Sequence, residues 1–324
     1  MAVDLPSDLI VHILSWLPSK SLIRCRSVCK SWMSLISSTQ FRLMHLHNFN
    51  QRNSHYLVRR FLLTENKEVT DEMILWNPSI KKTLTLIPPI YRNNYARDLS
   101  LVFGFGYHKV CDDYKIVRLA YDCRSIARPQ VEIYTVKTAI WRRVMFPNNF
   151  LCFSIFPNWS QVFLNESVHW ISRDRKVSHC SILSFDMNTE VFGEIELPEC
   201  LVQESPMRLG LTAIGDSLGV IYSKRLNTSS SYMVWVMKEY KKPMSWTMIY
   251  NAQYLNVDAG RALGLRSNGD LITESRQGEL TIYNEEGWYY VCGICSAELV
   301  LESTFVDRYK ESLALLDVGQ NVNW

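Results

Sequence analysis

Residues 5–32 read LPSDLIVHILSWLPSKSLIRCRSVCKSW. Leu5-Pro6-Ser7-Asp8 predicts a helix start, with proline in the first turn and an acid near the positive end of the helix dipole. Leu9, Ile10, Ile13, Leu14 and Leu17 follow at helical spacing, and Pro18 ends that helix. Ser19 is placed to cap a second helix carrying Leu22, Ile23 and Cys25. Val28, Cys29, Trp32, Leu35 and Ile36 recur at i, i+1, i+4, i+7 and i+8, which predicts a third. Ser37-Ser38-Thr39 breaks it, and Phe41, Met44 and Leu46 hint at one more turn. Three short helices rarely enclose a self-sufficient core. Their apolar surface must be covered either by the rest of this chain or by a second protein, and patterning alone leaves both readings open.

The remaining sequence has a different texture. From about residue 55, short runs of Val, Ile, Tyr, Trp and Phe alternate with Asn, Gly, Asp and Pro turns, the pattern of successive strands. A unit recurs as ILWNPSIKKT, VEIYTVKTAIWRRV, ILSFDMNTEVFGEIELP, MVWVMKEYKKPMSWTMIY and LTIYNEEG. Its marker aromatics are Trp76, Tyr134, Phe185, Trp235 and Tyr283, separated by 58, 51, 50 and 48 residues. In three units a second aromatic follows, Trp141, Phe192 and Trp246. A multi-strand unit of about fifty residues is the size of a propeller blade. The predicted fold is therefore α+β, with a small three-helix segment at residues 1–48 and an all-β, propeller-like repeat domain at 55–324. A large twisted β-sandwich is the alternative architecture, and the pattern leaves ring closure open. Asn268-Gly269 predicts a hairpin turn.

Both parts resemble known families. Residues 5–32 are similar to the plant F-box motif, L-P-x-D-L-x-x-x-I-L-x-x-L-P-x-K-S-L-x-R-x-R-x-V-C-K-x-W, with no gap. That resemblance assigns Leu5, Pro6, Ile10, Ile13, Leu14, Leu17, Pro18, Leu22, Val28, Cys29 and Trp32 to the motif. It implies that they bind a Skp-type adaptor and, through it, a cullin scaffold. His12 stands where the family often has Glu, and Trp16 where it often has Arg. WNPSIKKT, GFGYHKVCDDYKIVRL and SLALLD resemble elements of the F-box-associated, kelch-like domain, with S-locus F-box proteins among the relatives. The implied function is the target-recruiting, non-catalytic subunit of a ubiquitin ligase, with a secreted ribonuclease as one target that the S-locus likeness would suggest. The family's Cys-Asn-Gly-Leu segment upstream of W-N-P-S is missing, which implies a shortened early strand group. An F-box protein without ligase activity is one alternative, and a β-propeller enzyme or ligand-binding protein with a helical cap is another.

Composition narrows the remaining classes. Hydrophobic residues make up 47% and charged residues 21%, which excludes extensive disorder. Residues 1–60 hold eight Lys/Arg and two Asp/Glu, and the remainder is net acidic. A basic head fits an acidic partner, but no dense Lys/Arg cluster with interleaved aromatics points to nucleic acid. No run approaches the roughly 18 apolar residues of a membrane span, and Asp8 and His12 break any signal-like segment. Nine cysteines without a pairing framework read as reduced thiols, so the expected location is cytosolic or nuclear. The sequons at Asn165 and Asn227 are then chance matches. His45-x-His47 and Cys292-x-x-Cys295 lack further ligands at metal spacing, and no cofactor is expected. Gly104-Phe105-Gly106 lacks the third glycine of a dinucleotide fingerprint and is read as a turn or bulge. Asp112-Asp113 and Glu285-Glu286 are read as solvated turn acids. Arg92–Asp98 and Asn227–Ser231 are candidate exposed loops for an unidentified target.

Overall fold

The computed structural model describes residues 5–52, 55–62, 73–90, 99–122, 128–147, 153–155, 161–174, 177–225, 229–255, 261–266, 268–275, 279–284, 289–292, 301–318 and 320–321. Four helices come first: α1 (Ser7–Ser15), α2 (Ser19–Cys25), α3 (Lys30–Ser37) and α4 (Thr39–Arg52). The single turn hinted at after Ser38 is a fourteen-residue helix. Its apolar stripe is thin because His45, His47, Asn48, Asn50 and Gln51 interrupt it, which blurs the period. Ser38 separates the two helices. Its hydroxyl donates to the Leu35 carbonyl (2.7 Å) and accepts from the Phe41 amide (3.3 Å). The third helix begins only at Lys30, so Val28 lies before it and Cys29 is its N-cap.

The strands are β1 (His55–Leu62), β2 (Ile74–Asn77), β3 (Lys82–Thr85), β4 (Leu99–His108), β5 (Asp113–Asp122), β6 (Gln130–Thr135) and β7 (Ile140–Val144). They continue with β8 (Phe153–Ile155), β9 (Val162–Leu164), β10 (Ser167–Asp174), β11 (Cys180–Asp186) and β12 (Phe192–Glu196). Then come β13 (Leu209–Ile214), β14 (Ser217–Arg225), β15 (Ser229–Met237) and β16 (Trp246–Leu255). The last are β17 (Arg261–Leu265), β18 (Leu271–Glu274), β19 (Leu280–Tyr283), β20 (Tyr289–Cys292), β21 (Leu301–Tyr309) and β22 (Gln320–Asn321). Strands pair antiparallel in four sheets, β4–β7, β8–β12, β13–β16 and β17–β20, between neighbours in sequence except that β8 and β9 both pair with β10. Two smaller sheets join early strands to late ones, β1 with β21 and β2–β3 with β22.

Two compact units result. One comprises Met1–Leu57, Glu68–Pro88 and Arg308–Trp324, and the other Val58–Lys67 and Pro89–Asp307. In the second unit the four large sheets pack face against face through three apolar layers. Val117, Ile133, Trp170 and Phe185 belong to the first layer. Ile182, Leu211 and Val220 lie in the second, and Val234, Leu271 and Tyr283 in the third. Strands covered on both faces lose the polar-apolar alternation, so β10 and β11 are almost wholly buried. Sequential antiparallel sheets stacked in this way are the blades that the fifty-residue period predicts.

The markers have a common place. Tyr134, Phe185, Trp235 and Tyr283 each occupy the next-to-last strand of a large sheet. Tyr134 lies opposite Trp141, and Phe185 opposite Phe192, with ring centroids 5.1 Å and 4.7 Å apart. In the third large sheet, the longer turn places Trp246 opposite Met237 instead. Trp76 lies on β2, in the first unit. Behind the marker strands, three turns share one geometry, with Lys81, Ala139 and Glu190 in the left-handed region. The Asp186 carboxylate accepts from the Asn188 and Thr189 amides, and Asn77 Oδ1 accepts from the Ser79 amide. The Asn268-Gly269 turn joins β17 to β18, with Gly269 at φ 92°.

Three readings change. Gly104 and Gly106 are not a turn or bulge but lie inside β4, in register with Val117 and Lys115. A Cβ at Gly104 would strike Trp170, and one at Gly106 would strike Phe163, so the glycines let the next sheet approach. Asp113 is not a solvated acid. It is buried and accepts from the Tyr114 and Lys137 amides, tying the β4–β5 turn to the β6–β7 turn. Ser229–Ser231 form the start of β15, and Ser230 and Ser231 are buried rather than looped out. Arg92–Asp98, Asn227, Glu285-Glu286 and Cys295 lie outside the described residues.

Buried charge is paired. Arg118 and Glu132 face each other across β5 and β6 at 2.7 Å, both almost fully enclosed. Lys115 reaches Glu190 (2.7 Å) and the Met187 carbonyl (2.8 Å) in the next sheet. Glu132→Ala should cost about 3–5 kcal/mol, because it leaves a guanidinium buried without its counter-charge. The urea unfolding midpoint of the full chain measures this.

His169 on β10 donates from Nδ1 to the Val162 carbonyl (3.0 Å), and its Nε2 accepts from the Tyr240 hydroxyl (2.8 Å). Burial pushes this imidazole down to about 4 from its ordinary 6.5. The folded protein therefore keeps it neutral while the unfolded chain takes up a proton. Its contribution is intact above about pH 6.5 and declines as pH falls toward 4. Wild type should lose stability relative to His169→Gln across that window, measured as the difference between their unfolding midpoints at each pH.

Candidate functional site

The helical unit is held by a shared apolar core. Leu14 of α1, Leu22 of α2, Ile36 of α3 and Phe41 of α4 are buried together with Ile80, Leu313 and Leu316. Ile80 comes from the β2–β3 turn, and Leu313 and Leu316 from the segment after β21. The question left open by patterning thus receives a divided answer. One side of the helices is covered by this chain itself, from WNPSIKKT and SLALLD.

Polar contacts fix that cover. Asn77 Nδ2 donates to the carbonyls of Ser312 (3.0 Å) and Ala314 (2.7 Å). The Tyr309 hydroxyl accepts from the Ser79 amide (3.1 Å). Arg26 contacts Asp317 at 2.8 Å and Arg42 contacts it at 3.4 Å. The expected Ser19 cap does not form: no side-chain bond caps α2. The Ser19 amide donates instead to Glu311 (3.0 Å), which supplies an acid at the helix start from far along the chain.

The motif residues divide by burial. Leu14 and Leu22 are 2% and 0% exposed, so they tie the helices together and do not face outward. Ile10, Leu17 and Trp32 are half-buried against the same core. Leu5, Pro6, Ile13, Pro18, Val28 and Cys29 are exposed. Leu9, outside the eleven positions assigned from the motif, is exposed too. Leu9 and Ile13 are four apart and share one exposed face of α1, and Leu5 is exposed just ahead of the helix. Periodicity named both sets because leucine and isoleucine serve either face.

The remaining candidates for chemistry have structural settings. His45 is buried, donates to the Leu17 carbonyl (2.8 Å) and stacks between Phe41 and Phe49. Burial holds its pKa below the ordinary value. His47, two residues on, is exposed, so the pair cannot converge on one ion. Among the described residues, no three His, Cys, Asp or Glu side chains are grouped to hold a metal. Cys29 donates to or accepts from the Ser31 hydroxyl at 3.1 Å, which lowers its thiol pKa. No described helix is long and apolar enough to cross a membrane.

Comparison with known proteins agrees with the two-part organisation. Residues 3–44 match the F-box domain, and residues 35–307 match the F-box associated beta propeller domain. The F-box/kelch-repeat protein At3g23880 of Arabidopsis thaliana is 26% identical, over 87% of this chain and 88% of the relative. F-box protein At4g22390 is 25% identical, over 76% and 73%. F-box protein CPR1, from the same plant, is 25% identical over 77% and 73%. With helices, exposed motif face and stacked blades all in place, the chain belongs to the F-box proteins that carry an F-box associated beta propeller domain.

Proposed function

We propose that this protein is the non-catalytic, target-recruiting subunit of an SCF-type ubiquitin ligase. The observation that carries the reading is the complete motif of residues 5–32, whose Leu5, Ile13 and Val28 stay exposed, as does Leu9. Several large apolar side chains left exposed within one short motif favour a protein contact. The docking partner is a Skp-type adaptor, which joins the chain to a cullin scaffold. The docking set is Leu5, Pro6, Leu9, Ile13, Pro18 and Val28, with Ile10, Leu17, Cys29 and Trp32 at its margin. Leu14 and Leu22 act indirectly, by holding α1 and α2.

The β domain presents the target. Rate enhancement comes from tethering: two binding surfaces on one chain raise the effective concentration of target lysines near a charged conjugating enzyme. No side chain of this protein needs to move a proton. The cytosol or nucleus is the place of action we infer, on the reduced-thiol reading of the cysteines. A ribonuclease target rests on the S-locus likeness alone, and the relatives matched carry F-box and kelch-repeat names.

Purified adaptor and full-length chain should form a complex with an interface on the order of 1,600 Å². Leu9→Asp with Ile13→Asp should weaken it at least about thirtyfold, as loss of a central apolar contact does. Both positions are exposed, so circular dichroism of the variant should match wild type. Unaltered capture by a folded double variant would remove α1 from the docking surface.

A further inference from the structure

We propose that the segment 309–317 is a working part of the adaptor-docking module, so that docking depends on a strap supplied by this same chain. The inference rests on the adaptor reading above and concerns what controls that site. Four short helices cannot bury enough apolar surface alone, and here the deficit is filled in cis. Leu313 and Leu316 sit in one cluster with buried residues from all four helices.

The strap is also matched to the helices in charge. Residues 1–60 carry eight basic and two acidic side chains. Glu311 meets the first amide of α2, and Asp317 meets Arg26 and Arg42. Asn77 grips the strap through two of its carbonyls. Leu315 adopts φ 65°, a conformation that side chains other than glycine rarely take. Its two buried neighbours on this tight turn, Leu313 and Leu316, supply the packing that holds it there.

The strap and the docking stripe meet on α1. Ile10 and Leu14 face the strap-filled core, while Leu9 and Ile13 face outward. Loosening the strap releases α1 and disperses the outward stripe. Because the two contacts share one helix, the coupling is reciprocal: adaptor bound to the stripe must steady the strap.

The test uses the full chain, hydrogen exchange and adaptor affinity. Leu313→Ala with Leu316→Ala should speed amide exchange across α1–α3 by more than about tenfold, weaken adaptor binding by a similar factor, and leave exchange in β4–β7 unchanged. Leu316→Met should restore both. In wild type, saturating adaptor should slow exchange at residues 309–316. Should the double alanine variant unfold throughout, Glu311→Gln with Asp317→Asn decides, and it should shift both readouts in the same direction by a smaller factor. Wild-type exchange in α1–α3 together with wild-type affinity, in a folded strap variant, overturns the proposal. Failure of wild type to bind adaptor would defeat the docking reading instead, and helix exchange would still judge the strap.

Discussion

The packing of Leu313 and Leu316 among Leu14, Leu22, Ile36 and Phe41 is the contact on which the helical unit depends. Four helices of seven to fourteen residues have short hydrogen-bonded runs and little area for mutual burial. Two leucines and Ile80, brought from elsewhere in the chain, complete a core that the helices outline. Directional bonds then set the register of that insertion. Asn77 is buried, and its amide donates to the carbonyls of Ser312 and Ala314.

This arrangement changes how a docking motif should be read. The apolar residues assigned to the motif belong to one sequence pattern, yet the pattern serves two surfaces. Leu14 and Leu22 point inward and act on geometry, and Leu5, Leu9 and Ile13 remain available outside. The distinction matters for interpreting variants. A change at Leu14 would disturb the module itself, whereas a change at Ile13 alters a surface. The opposite charges at Arg26, Arg42 and Asp317 belong to the inner contact, so the basic character of the helical head is partly spent within the chain.

The blades follow a different logic. Each large sheet is built from neighbours in sequence, so its strands pair locally and its turns recur at matched positions. What joins one sheet to the next is shape. Gly104 and Gly106 remove side chains where Trp170 and Phe163 must enter, and Lys115 crosses to Glu190 and the Met187 carbonyl. Buried ions such as Arg118 and Glu132 add little net stability but penalise any register that would separate them.

Much of this was legible in the residues. Apolar period and proline placement located α1 and α2, and the spacing of Tyr134, Phe185, Trp235 and Tyr283 located the next-to-last strand of every large sheet. Both signals are local: a helix repeats every few residues, and each blade repeats its own hairpins. α4 was barely visible because its histidines and asparagines break the stripe, although His45 turns out to be buried. Only the tertiary structure decided which leucines stay exposed, that Gly104 is a contact and not a turn, and that Asn77 holds Ser312 and Ala314, some 235 residues away. The reason is physical. Chain-local patterns record which residues are apolar, whereas the face that stays open depends on what a distant segment covers.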